Sequence, residues 1–359
     1  MSKSQFVVGL DLGTTKTVCL VGEVVDVEAG SSLQVVGLGS VPSTGLRRGM
    51  IVDQDATIES IVRAVEEAEL MAGVKVSTVY TGIAGGLIRP RISDGIGTVQ
   101  EGQKVEGNLQ GVVASAENMT QCAAKAGLEV AEFCLEPIAS AEAVLRRQEC
   151  QAGVILVDMG GGTTDIAIFK DGSLVHAGVL PMGGHQITND IALGLRITQF
   201  EAERLKMRHG CALRSLVSSD EMFEVVGVGG KGRKMISRRE LSEMIEPRAE
   251  EIFGLIQKEV IKSGFKGLLS AGVVVTGGAT LLEGVPELAG WVFEGPARRG
   301  LPQGIGGLKD VVNSPRYATV VGLLKYGARN TSKTRSPVRE KNIYDKVRGS
   351  MRIWIKDLF

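Results

Sequence analysis

The chain opens on an apolar run, Phe6-Val7-Val8-Gly9-Leu10, and two further runs of β type follow at 17–25 and 33–41. Gly13 and Ala29-Gly30-Ser31-Ser32 punctuate them, so the pattern predicts a meander of strands over 6–11, 17–25 and 33–41. The period then changes. Ile58, Ile61, Val62 and Val65 recur at helical spacing, with Asp55 placed to cap the helix and Gly73 to stop it. A strand follows at 78–82. Residues 85–111 are rich in Gly and settle into no period, which reads as a loop or small insertion; a helix resumes over about 116–126 and stops at Gly127.

The second half repeats the plan. A strand at 154–158 is followed by runs at 164–170 and 173–180, joined as a hairpin through Lys170-Asp171-Gly172. Helices are expected over 185–195 and 199–208. Ser237 and Glu240 have the spacing of a capping box, and the helix they open meets Pro247, which would kink it or start a new one. A strand at 273–276 runs into Gly277-Gly278-Ala279, and Ser314-Pro315 opens a helix through Leu324.

Composition narrows the class. The chain has 359 residues, enough for two domains with large cores, and its 43% apolar and 23% charged content reads as soluble and globular. Abundant Gly (48) with scarce aromatics (4%) suits an α/β protein with tight strand–helix turns. A formal net charge of zero offers no overall field for nucleic acid. Cys19, Cys122, Cys134, Cys150 and Cys211 form no C-x-x-C pair and read as reduced core thiols of a cytosolic protein. Met1-Ser2-Lys3-Ser4-Gln5 leads into a strand, which reads as no signal peptide. No apolar stretch approaches the ~20 residues that span a bilayer.

Two stretches carry the chemistry. Asp11-Leu12-Gly13-Thr14-Thr15-Lys16 follows the first strand, and Asp158-Met159-Gly160-Gly161-Gly162-Thr163-Thr164-Asp165 follows the strand at 154–158. Each has the grammar strand, Asp, Gly, Thr, strand. The glycines let backbone N–H groups approach phosphate oxygens, and Thr14, Thr15, Thr163 and Thr164 add hydroxyl donors. Asp11 and Asp158 would repel phosphate, so they suit Mg²⁺, held through its water shell. Lys16 would offset charge on the outer phosphates. One such loop alone reads as an ordinary tight hairpin; the pair points to two related halves facing one nucleotide.

The ordered motifs V-V-G-L-D-L-G-T-T-K-T (7–17), E-P-I-A-S-A (136–141), D-M-G-G-G-T-T-D-I-A (158–167), A-E-R-L-K-M-R-H-G-C-A (202–212), V-T-G-G-A (275–279) and Y-A-T-V-V-G-L-L-K-Y-G (317–327) resemble the actin/Hsp70/sugar-kinase superfamily of duplicated ribonuclease-H-like folds. Within it the wording, K-M-R-H-G-C-A and I-E-P-R (245–248) above all, resembles the FtsA family of bacterial cell-division proteins. The resemblance implies an actin-like α/β fold with two lobes, 1–150 and 151–327, around an ATP cleft. It places Glu136 where it would orient the attacking water; a structural acid before Pro137 is the alternative. It places Glu203 and Lys206, three apart on one helical face, against the adenosine; an exposed ion pair is the alternative. Gly277, Gly278 and Ala279 would face the adenine, and Gly183 and Gly184 a turn near the phosphates. His185 and His209 have no catalytic partner in the pattern and are assigned to structure.

The family usually carries a sizeable subdomain, 1C, after the strand that corresponds to 78–82. Here the insertion, about 85–115, keeps the flanks of that subdomain and lacks its middle. The resemblance also implies FtsZ as partner, through a peripheral subdomain at about 195–265. It implies self-association and, through 1C, contacts with later division proteins.

Residues 328–344 read as a polar, basic linker. Residues 345–359 place Val347, Met351, Trp354, Ile355 and Leu358 on one helical stripe, with Phe359 at its end. From 329 to 359 there are nine Lys/Arg against three Asp/Glu, the balance of an amphipathic helix lying on an anionic membrane. Docking of this helix on the protein's own core is the alternative. Together these readings predict an ATP-binding cell-division protein, at most a slow ATPase, that tethers FtsZ filaments at the cytoplasmic face of the membrane at the division site. A phosphotransferase or hydrolase acting on a small molecule through the same cleft ranks second, and a chaperone-like ATPase last.

Overall fold

The structure is a computed structural model that describes residues 5–27, 30–83, 109–226 and 233–331. In the first half, β1 (Gln5–Leu12), β2 (Lys16–Val27) and β3 (Gly30–Pro42) form the expected meander. A short hairpin of β4 (Leu46–Arg47) and β5 (Met50–Ile51) leads into α1 (Gln54–Ala72). β6 (Thr78–Ile83), α2 (Leu109–Lys125), β7 (Glu129–Leu135), α3 (Glu136–Val144) and α4 (Arg147–Ala152) follow. The second half begins with β8 (Val154–Met159), β9 (Thr164–Lys170) and β10 (Ser173–Leu180), then α5 (Gly184–Leu195) and α6 (Gln199–His209). β11 (Met222–Val226) and β12 (Arg233–Ser237) form a separate ladder ahead of α7 (Arg238–Lys262). The described chain closes with β13 (Val273–Thr276), α8 (Val285–Phe293), β14 (Ala297–Arg299), β15 (Gly306–Gly307), α9 (Lys309–Val312) and α10 (Ala318–Thr331).

The two sheets are copies of one plan. The first runs β15-β3-β2-β1-β6-β7 and the second β10-β9-β8-β13-β14. In each, a hairpin of antiparallel strands stands beside strands added in parallel: β1 pairs β6, and β8 pairs β13. Parallel strands need helices on both faces, which is why β1 and β8 read as nearly unbroken apolar runs instead of alternating ones. Return of the chain ties the halves together, a feature the sequence pattern does not show. β15 pairs with β3, and α10 packs on β1, β2 and α3, so the first core includes Val320, Val321, Leu323 and Leu324. A second core forms around β8, β9 and β13 with α5 and α7.

Several element ends differ from expectation. Asp53, not Asp55, caps α1: its extended backbone lets its carboxylate accept the Ala56 N–H at 3.1 Å, while Asp55 falls in the first turn. Gly73 ends α1 in the left-handed conformation, as expected. Gly30, Ser31 and Ser32 lie inside β3. α2 begins at Leu109, earlier than its apolar spacing suggests. Pro247 lies within one continuous α7, whose cap is Ser237. The Ser314-Pro315 signal opens a 3₁₀ turn, Pro315–Tyr317, from which α10 continues to Thr331. Most of the 85–115 insertion and the 345–359 segment lie outside the described residues.

Candidate functional site

The two phosphate-type loops are the turns of two equivalent hairpins, β1–β2 and β8–β9, and they meet across one cleft. Each loop closes on itself identically: Gly13 N–H donates to the Lys16 carbonyl at 3.1 Å, and Gly160 N–H to the Thr163 carbonyl at 2.9 Å. Among the described residues, the backbone N–H groups of Thr14, Thr15, Gly161 and Gly162 have no hydrogen-bond acceptor in the protein. Adjacent amides of this kind form an anion-binding concavity.

The cleft encloses about 460 Å³, within the range of small-molecule sites. Its wall includes Asp11, Gly13, Thr14, Thr15, Lys16, Glu136, Asp158, Gly160, Gly161, Thr163 and Gly184, with Glu203, Lys206, Gly277, Gly278 and Ala279 toward one end. Other site residues expected from the sequence stand elsewhere. Thr164 is the first residue of β9 and points inward, where its hydroxyl donates to the Met182 carbonyl at 2.8 Å; it is not a cleft donor. Gly162 packs against Thr14, and Gly183 backs the second loop against the Gly160 carbonyl. Val347, Met351, Trp354, Ile355, Leu358 and Phe359 lie outside the described residues.

Six carboxyl groups line the cleft, and four of them, Asp11, Glu136, Asp158 and Asp165, act on one another. Burial pushes Asp11 up to about 6, against the pull of Lys16, with Asp158 adding to the rise. Glu136, the first residue of α3, is held well above the usual carboxylate range by burial and then by Asp165, Asp11 and Asp158. Asp158 is also raised by burial, although it has its own donors: Ser140 Oγ at 2.5 Å and Thr319 Oγ1 at 3.2 Å. Lys16 stands opposite, donating to the Arg316 carbonyl at 2.5 Å and lying over the Tyr317 ring at 4.2 Å. Burial brings its ammonium down to about 8.

Like charges packed this closely call for a cation. No three His, Cys, Asp or Glu side chains among the described residues are grouped to hold a metal ion directly. The site therefore suits a hydrated ion held by the carboxylates through its water shell, as Mg²⁺ prefers.

At the other end, Lys206 is only 9% exposed and donates to Glu203 Oε2 (2.7 Å), Thr188 Oγ1 (2.8 Å) and the Gly184 carbonyl (3.0 Å). Glu203 also accepts from Thr188. Burial lowers the Lys206 ammonium; burial opposes the Glu203 carboxylate, yet Lys206 keeps it below its usual range. The pair is thus a buried link between α6 and the start of α5, not an exposed i,i+3 bridge. Gly277 is obligatory: its φ is 90°, and a Cβ there would stand 2.4 Å from Asp158 Oδ1.

Sequence reasoning missed Asp165, Ser140, Thr319 and Thr188 as groups at the site. The first three lie inside motifs already quoted, and Thr188 follows Gly184 by one helical turn. His185 touches Thr15, whereas His209, the other histidine assigned to structure, stacks on Phe223 with centroids 4.2 Å apart. All five cysteines are free and buried. Among the described residues no helix is long and apolar enough to cross a membrane.

Comparison with known proteins agrees with this architecture. A family model described as cell division protein FtsA matches residues 155–322. The FtsA of Pseudomonas aeruginosa is 39% identical over 384 residues, covering 92% of this chain and 91% of the relative. That of Escherichia coli is 32% identical over 413 positions, covering 99% and 96%; this span exceeds the 359 residues here, so the relative carries stretches without a counterpart. That of Bacillus subtilis is 33% identical, covering 92% and 85%. Among solved structures, MreB 5 of Spiroplasma citri bound to AMPPNP superposes with a TM-score of 0.66 at 19% identity, covering 92% and 98%. EutJ, an ethanolamine utilization protein from Carboxydothermus hydrogenoformans, superposes with a TM-score of 0.59 at 24% identity, covering 90% of both chains. These structural likenesses show the actin-like fold, and the sequence relatives show that the chain belongs to the FtsA family of cell division proteins.

Proposed function

We propose that the chain binds ATP with Mg²⁺ between its two halves and uses nucleotide state to control assembly at the membrane. One observation carries this reading: two hairpin turns of the same build present unpaired backbone N–H groups to one cleft, beside Asp11, Glu136, Asp158, Asp165 and Lys16. The residues present fit the group. Thr14, Thr15 and Gly161 would hold phosphate oxygens through backbone N–H, and Asp11 and Asp158 would hold the hydrated cation. Mg²⁺, when bound, would neutralise phosphate charge. Glu203, Lys206, Gly277, Gly278 and Ala279 would border the adenosine. Glu136 would accept a proton from a water aligned for attack; because burial and its acidic neighbours favour its protonated form, hydrolysis would be slow until charge in the cleft is offset.

The wider role follows from the family. The chain would tether FtsZ filaments to the cytoplasmic face of the membrane at the division site, with FtsZ docking within about 195–265. Self-association would follow closure of the halves. The 345–359 segment, with its apolar stripe and basic flanks, would bind anionic lipid; one short helix binds weakly, so residence would depend on many copies acting together. Calorimetric titration of the full chain with ATP and Mg²⁺ tests the cleft, and absence of binding would sink the nucleotide reading. Pelleting with anionic liposomes, with and without residues 345–359, tests the tether; equal pelleting would remove it.

A further inference from the structure

His185 is the one histidine on the cleft wall, and the function outlined above assigns it no part. It is the second residue of α5, and its backbone N–H donates to the Gly161 carbonyl at 2.8 Å, which fixes it over the second loop. Its side chain leaves that half altogether: Nε2 lies 3.3 Å from Thr15 Oγ1 on the first loop. The contact passes over Gly161, where an added Cβ would stand 2.0 Å from Thr15 Oγ1 and 3.1 Å from His185 Nε2. His185 is exposed as a residue, and its imidazole reaches from the second loop to the first.

We propose that His185 is a phosphate contact: it exchanges Thr15 for the outermost phosphate group of a bound nucleoside triphosphate and takes up a proton from solvent as it does so. The proposal rests on the nucleotide reading above and adds to it a residue and a pH dependence. The charged groups that act on the imidazole are Lys206 and Glu203 from α6; Asp11 and Lys16 from the first loop, Asp158 and Asp165 from the second, and Arg208, Arg238, Glu283 and Arg316 line the same cleft. Partial burial, then Lys206, holds the imidazole below its usual range, with Glu203 pulling the other way. It is therefore neutral at pH 7.5 with Thr15 as partner. A phosphate group arriving beside Nε2 reverses the balance, because an adjacent anion favours the charged ring and typically raises a pKa by ~1 unit or more.

The chain holds three histidines, His176, His185 and His209, so their titrations can be followed separately in the full chain by NMR of histidine-labelled protein. Saturation with AMPPNP and Mg²⁺ should move the His185 midpoint up by ~1 pH unit. ADP should move it less, and neither should move His176 or His209. In parallel, calorimetry should show wild type preferring ATP over ADP by a ratio that grows up to about tenfold from pH 8 to pH 6. H185Q keeps an N–H donor but cannot titrate, so its ratio should stay flat with pH; H185A should lose the preference. A His185 midpoint unmoved by nucleotide that calorimetry shows to be bound, or a wild-type ratio and pH profile retained in H185A, overturns the role of His185 alone. Absence of any nucleotide binding by wild type overturns the nucleotide reading and this proposal together.

Discussion

The first and second phosphate-type loops share a backbone plan and differ in everything that surrounds it. The first is held from outside by the β4–β5 turn, where Arg48 and Gly49 both have positive φ and Gly49 N–H donates to Thr14 Oγ1 at 3.1 Å. The second is held by the start of α5, through Gly184 N–H to the Gly160 carbonyl and His185 N–H to the Gly161 carbonyl. The first carries a cation, Lys16; the second carries an acid, Asp165. Their paired aspartates also diverge. Asp158 has two hydroxyl donors, whereas Asp11 depends on Lys16 to offset its burial. Duplication thus preserved the geometry that presents amides to one cleft, while the side chains specialised.

That asymmetry can be broken most sharply at the glycines. A Cβ at Gly161 would meet Thr15 Oγ1 at 2.0 Å, whereas a Cβ at Gly13 would meet only the Lys16 carbonyl, at 3.0 Å. Gly161→Ala should therefore weaken ATP binding by about tenfold or more, ~1.4 kcal/mol. Gly13→Ala should cost several-fold less. Equal losses in titration calorimetry would show that the loops are interchangeable.

The aspartates sharpen the contrast through pH. The folded pKa of Asp11, about 6, lies above its ordinary 3.8, so the folded state binds more protons between those values. Its contribution to stability is present below pH ~4 and is lost as pH rises through 6. Asp11→Asn should raise the melting temperature at pH 7.5, by on the order of 1 kcal/mol in stability, with no gain at pH 4. Asp158→Asn keeps an oxygen able to accept from both hydroxyls, which bond the same Oδ2, but loses the charge that strengthens those bonds, and should gain less. A pH-independent effect of Asp11→Asn would remove burial as the cause. The smallest effect is expected at Thr319→Val, which leaves Ser140 on Asp158 and should cost about 0.5 kcal/mol in denaturant unfolding. A loss as large as that of Ser140→Ala would mean that the two hydroxyls share Asp158 equally.

Legibility in the sequence followed the range of each interaction. Strands β1, β2, β3, β8, β9 and β13 were readable because buried strands need continuous apolar runs and their turns need Gly. The start of α2 and the cap on α1 were less so, because helix ends depend on which side chain reaches a particular N–H. Asp53 and Asp55 are chemically alike, and only backbone direction selects between them. At the site, Asp11, Lys16, Glu136 and Asp158 were visible as motif residues. Thr164 was misread because the first residue of a strand can face either side.

By itself the sequence determined the duplicated plan, the two loops and the family, since these rest on local periodicity, turn chemistry and contiguous motifs. Only the tertiary structure decided which groups share the cleft. Thr15 and His185 lie 170 positions apart, and Asp158 and Thr319 161 apart. No local pattern encodes such meetings: they exist because the turns of two like hairpins meet at one cleft and α10 packs back on β1, β2 and α3.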